Sequence, residues 1–101
     1  MAGSLTFDLE AVAALCRRFQ VQRLSVFGSA LSADFDLATS DVDFLVEFVD
    51  GAAGLFDAYF GLKEELERLL GRPVDLVMPK ALANPYFAES VNRTRHDLYA
   101  A

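Results

Sequence analysis

The chain has 101 residues, 53% of them hydrophobic, a formal net charge of −6 and one cysteine. That is apolar content for one compact domain spanning residues 1–101, well outside the disordered range. It excludes an internal disulfide and a general grip on nucleic-acid backbones, which needs lysine and arginine. No apolar run reaches the roughly 18 residues of a membrane span. The start, MAGSLTFDLE, lacks the basic head and apolar centre of a secretory leader, so a cytoplasmic location is expected.

Residues 8–19 carry Leu9, Val12, Leu15, Cys16 and Phe19 at helical spacing, with Thr6 or Asp8 as the candidate cap. Cys16 lies on the apolar face and reads as a packing residue. Residues 22–27 form a short strand that Gly28 stops, and residues 29–35 a short helix. Residues 36–40 lead into a strand over residues 41–49. Leu45 and Val46 are consecutive apolar residues, which implies cover on both faces. Asp50-Gly51 is a turn.

From Leu55 the apolar positions Leu55, Tyr59, Leu62, Leu66 and Leu69 recur at helical spacing, with charged residues opposite. Gly71 stops this helix. Residues 73–77, PVDLV, are a third strand interrupted by Asp75. A lone carboxylate there needs an exposed edge, polar neighbours or a metal. Asn84-Pro85 caps a helix over residues 86–92, and residues 97–99 read as a brief final strand. The class is α/β, a central mixed sheet flanked by helices.

The chemistry concentrates in residues 26–48. Gly28 permits a sharp bend and close approach of a ligand, and Ser29 offers a hydroxyl at a helix start suited to phosphate oxygens. Asp41 and Asp43 are two apart, so on a strand both carboxylates leave the same face. Carboxylates with substrate phosphates make a typical Mg²⁺ site. Asp41, Asp43 and Asp75 are therefore the candidate metal ligands and catalytic residues, with Gly28 and Ser29 the candidate phosphate binders. Two metal ions can clamp attacking and leaving oxygens in phosphoryl transfer. Asp75 is also the candidate proton acceptor.

Phe27-Gly28-Ser29, Asp41-Val42-Asp43-Phe44-Leu45-Val46, Leu69-Leu70-Gly71 and Val74-Asp75-Leu76-Val77 together resemble the minimal nucleotidyltransferases of the DNA polymerase beta-like superfamily. The resemblance runs from about Ala11 to Tyr99. It implies Mg²⁺, with two ions, and ATP as the substrate. It also implies an antitoxin that attaches AMP to a tyrosine of a HEPN-type toxin within a hetero-oligomer. The chain departs from the family pattern after Gly-Ser, where Ala30-Leu31-Ser32-Ala33-Asp34 replaces a basic segment. No lysine or arginine occurs between Arg23 and Lys63, so Arg93 and Arg95 are the candidate replacements. That departure motivates the alternative expectation, a module with little or no transfer activity that neutralises a toxin by binding.

Overall fold

A computed structural model describes residues 7–28 and 42–101. Its elements run α1 (Leu9–Arg18), β1 (Val21–Phe27), β2 (Val42–Phe48), α2 (Leu55–Leu70), β3 (Val74–Val77), a 3₁₀ turn (Pro79–Ala83), α3 (Pro85–Thr94) and β4 (His96–Ala100). The expected helix over residues 29–35 and the loop over 36–40 lie outside the described residues. The other expected elements are present, with ends shifted by one or two residues. The 3₁₀ turn is an addition; Pro79 opens it, and its lack of an N–H is tolerated at a helix start.

The described strands form a mixed sheet in the order β3-β2-β1-β4. β1 pairs antiparallel with β2 and with β4. β2 and β3 are parallel, and α2 makes the crossover that parallel pairing requires. β3 and β4 are therefore the edges.

Strand alternation divides the sheet into two faces. Leu24, Val26, Val42, Phe44, Val46, Val74 and Leu76 join Val12 and Cys16 of α1 and Leu62 and Leu66 of α2 in the larger core. Burial pushes the Cys16 thiol up to about 12, so it stays protonated and acts as an apolar filler. On the other face a smaller cluster of Phe27, Leu45 and Val91 is covered by the 3₁₀ turn and α3. The ring of Phe87 meets Phe27 edge-on at 5.8 Å.

Local signals fix the helix ends. The Asp8 carboxylate accepts from the Ala11 N–H at 3.1 Å and caps α1, so Asp8 fills the expected capping role. Gly71 ends α2 in the left-handed conformation, its N–H donating to the Glu67 carbonyl. Asn84 caps α3 by accepting from Tyr86 and Phe87.

Two polar groups of α2, one on its charged face and one on its apolar stripe, reach the edge of the sheet. Glu67 accepts from the Val74 N–H at 3.0 Å, and the Tyr59 hydroxyl donates to the Leu76 carbonyl at 2.6 Å. Both bonds fasten α2 to the edge strand β3. That backbone N–H and then Lys63 hold the Glu67 carboxyl below its ordinary value. No helix among the described residues is long and apolar enough to cross a membrane.

Candidate functional site

Asp43 is the second residue of β2 and Asp75 the second of β3, and the parallel ladder pairs them directly. Adjacent strands lie about 4.8 Å apart, and paired residues of a ladder share a face. The two carboxylates therefore leave neighbouring strands side by side. Asp75 is exposed and Asp43 half-buried. The expectation that Asp75 needs an exposed edge or polar company is met on both counts, since β3 is an edge strand and Asp43 is its neighbour.

Gly28 completes the described part of the site. It follows Phe27, the β1 partner of Asp43, and turns with φ +77°. A Cβ at this position would stand 3.3 Å from the Asp43 Oδ2, so the bare backbone lies against the carboxylate. The candidate residues Ser29 and Asp41 lie outside the described residues and are joined to the site by sequence adjacency alone.

Sequence reasoning gave no role to Thr94, which closes the arrangement. Its hydroxyl accepts from the Gly28 N–H at 2.9 Å and donates to the Ser90 carbonyl at 3.0 Å. The last turn of α3 thus pins the bend that follows β1. No local signal marks this contact, because its partners are 66 positions apart.

The chemistry of the donors fits a hard divalent cation. Asp43 and Asp75 offer carboxylate oxygens at strand spacing, and Mg²⁺ is usually held by one or two carboxylates together with substrate phosphates. Among the described residues no group of three metal-binding side chains converges, so Asp41 would have to supply a third ligand.

The two arginines considered as replacements for the absent basic segment have other partners. Arg93 donates to Glu89 at 2.7 Å on the surface of α3. Arg95 donates to the Ser25 hydroxyl at 3.0 Å and to Glu47 at 3.4 Å. Ser25 is fully buried and donates in turn to Asp97, which also binds Arg23 through two nitrogens. The Arg23 guanidinium and then the Ser25 hydroxyl hold the Asp97 carboxyl below the usual range. Arg23, bound by Asp97, is raised in return. Glu47 belongs to this network with Arg23 and Arg95.

A profile of the nucleotidyltransferase domain matches residues 10–96. A Methanocaldococcus jannaschii protein named as a protein adenylyltransferase is 35% identical over 74 residues, covering 73% of each chain. The protein adenylyltransferase MntA of Thermococcus cleftensis is 43% identical over 68 residues, or 67% of this chain and 66% of that one. A solved minimal nucleotidyltransferase structure superposes with a TM-score of 0.70 at 38% identity, covering 87% of this chain and 86% of that one. A solved complex of a tri-AMPylated Shewanella oneidensis HEPN toxin with an MNT antitoxin shares the fold. Its matching chain gives a TM-score of 0.60 at 22% identity, with 92% of this chain and 70% of that one covered.

Proposed function

Because the chain belongs to the nucleotidyltransferase domain family, we propose that it transfers AMP from ATP to a protein, as the antitoxin of a HEPN-type toxin in a hetero-oligomer. The pairing of Asp43 with Asp75 beside the Gly28 bend carries this reading. The naming of its relatives as protein adenylyltransferases, and the AMPylated toxin in the complex with the same fold, support it.

Asp43 and Asp75, with Asp41, would hold Mg²⁺, two ions in the full site. Bound there, the metal neutralises charge on the phosphate oxygens and on the departing pyrophosphate. Gly28, with no side chain, leaves room for the triphosphate beside the carboxylates, and Ser29 offers its hydroxyl to a phosphate oxygen. The acceptor hydroxyl oxygen bonds to the α-phosphorus as the bond to pyrophosphate breaks. Asp75, exposed on the strand, would take the hydroxyl proton.

The test is transfer of label from α-labelled ATP to the co-purified HEPN partner in Mg²⁺. Transfer that disappears in Asp43→Asn supports the proposal, and absence of transfer from the native pair rejects it.

One observation favours a second reading, neutralisation by binding alone. Arg93 and Arg95 are engaged by Glu89 and by the Ser25–Glu47–Asp97 group, so neither serves the triphosphate in this arrangement. Under that reading Asp43→Asn leaves neutralisation intact.

A further inference from the structure

We propose that the turn after β2 and the first two turns of α2 form a docking surface for a protein whose apolar ridge is flanked by lysine and arginine. The surface is independent of the transfer chemistry. α2 buries Ala58, Leu62 and Leu66, which suffice to seat it on the sheet. Phe56 and Phe60 stand outside that stripe, 74% and 50% exposed, with ring centroids 4.7 Å apart. Val49, Leu55 and Met78 are also exposed, and all three line one open hollow at the start of the helix. Aromatic side chains grouped on the surface in this way mark an interaction site and supply the anchors that dominate binding.

Charge selects the occupant. Residues 47–62 contain Glu47, Asp50 and Asp57 and no lysine or arginine, and Lys63, the next residue, is paired with Glu67. Asp50 lines the hollow and Asp57 follows Phe56 in the helix, while Glu47, also at the hollow, is already paired with Arg23 and Arg95. A second copy related by a two-fold axis would set this acidic rim against itself. An anionic lipid surface is repelled for the same reason. A basic-flanked apolar helix satisfies both the phenylalanines and the rim.

The surface lies away from the carboxylate pair. Val49 follows Asp43 by six positions, about 20 Å along a strand at roughly 3.3 Å per residue, and Met78 follows Asp75 by three, about 10 Å. A protein seated there leaves the end of the sheet bearing Asp43 and Asp75 open.

The test titrates the folded chain with a synthetic amphipathic helix bearing leucines on one face, flanked by lysines, and follows amide shifts and heat. The control helix carries glutamates in place of the lysines. The expected result is saturable binding of the lysine helix, with shifts centred on Val49, Leu55, Phe56 and Phe60. Phe56→Ser should weaken binding by about tenfold, the scale of an anchor residue. Asp57→Lys with Asp50→Lys, which leaves the phenylalanines in place, should weaken it as well, whereas Asp43→Asn should not. Failure to bind, equal binding of the control helix, or shifts centred elsewhere overturns the proposal. Sedimentation of the chain alone adds a further arm: a dimer that Phe56→Ser dissolves assigns the face to a second copy and overturns it too.

Discussion

Gly28 lies so near Asp43 that a single added carbon on the glycine would stand 3.3 Å from the carboxylate oxygen Oδ2. The bend and the acid therefore form one unit. Gly28→Ala adds that carbon and forces alanine into φ +77°, a conformation costing about 1–2 kcal/mol for an L-residue. The expected outcome is stability lower by about that amount, together with a rise in KM for ATP. Urea unfolding and nucleotide titration measure the two effects separately.

Thr94 holds the same bend from α3. Thr94→Val leaves the Gly28 N–H without its acceptor, a loss of about 0.5–1.5 kcal/mol for a part-buried hydrogen bond. Thr94→Ser keeps the hydroxyl and should restore most of the stability and the affinity for ATP. Equal behaviour of the two variants in a nucleotide-binding assay would remove Thr94 from any positioning role.

The carboxylate pair should trade stability for chemistry. Like charges directly opposite on neighbouring strands destabilise by about 0.2–1 kcal/mol. In EDTA, Asp75→Asn should therefore melt at the same temperature as the parent or slightly higher. In Mg²⁺ the same variant should lose at least about a hundredfold in transfer rate, the scale for one preorganised charged group. Calorimetry in both buffers, paired with a label-transfer assay, reads both signs.

Asp97 gives a stability signature in acid. Its carboxyl titrates below the ordinary value because Arg23 and then Ser25 bind the charged form. A depressed folded value means that the stabilisation is present above the unfolded carboxylate value, about 3.9, and is lost as pH falls through the folded one. The parent should be more stable than Asp97→Asn at pH 7, and the gap should close below about pH 4. The side chain is 43% exposed, so solvent screening keeps the gap modest. Denaturation curves at pH 7, 4 and 2.5 follow it.

Gly61→Ala tests the packing of α1 against α2. Alanine raises helix propensity by about 1 kcal/mol over glycine. Here, however, its Cβ would lie 2.6 Å from the Phe19 ring. Overpacking costs about 1–3 kcal/mol, so the net expectation is a lower melting temperature. Adding Phe19→Leu should recover part of the loss.

The helices and strands are legible because their signals are local. The spacing from Leu55 to Leu69 and the stop at Gly71 define α2, and the parity of Val42, Phe44 and Val46 fixes which way Asp43 leaves its strand. Asp75 is conspicuous as an acid among apolar residues. Its registration with Asp43 is less visible, since it depends on how β3 aligns with β2 across an intervening helix. The Ser25–Arg95–Asp97 group and the Thr94–Gly28 bond were not legible at all. Each joins residues more than 60 positions apart, and a serine or threonine carries no periodicity that would give away its partner. Glu67 looks like any solvated acid of a helix until β3 is placed beside it.

The two bonds from α2 to β3 also govern how the chain behaves when crowded. An edge strand invites stacking by a strand from another molecule, the first step toward fibrils. At β3 the Val74 N–H and the Leu76 carbonyl are already taken by Glu67 and Tyr59, so an incoming strand must displace both side chains before it can zip on. Resistance to fibrillation at this edge is thereby tied to the anchoring of one helix, and a lesion that loosens α2 would uncover the edge at the same moment.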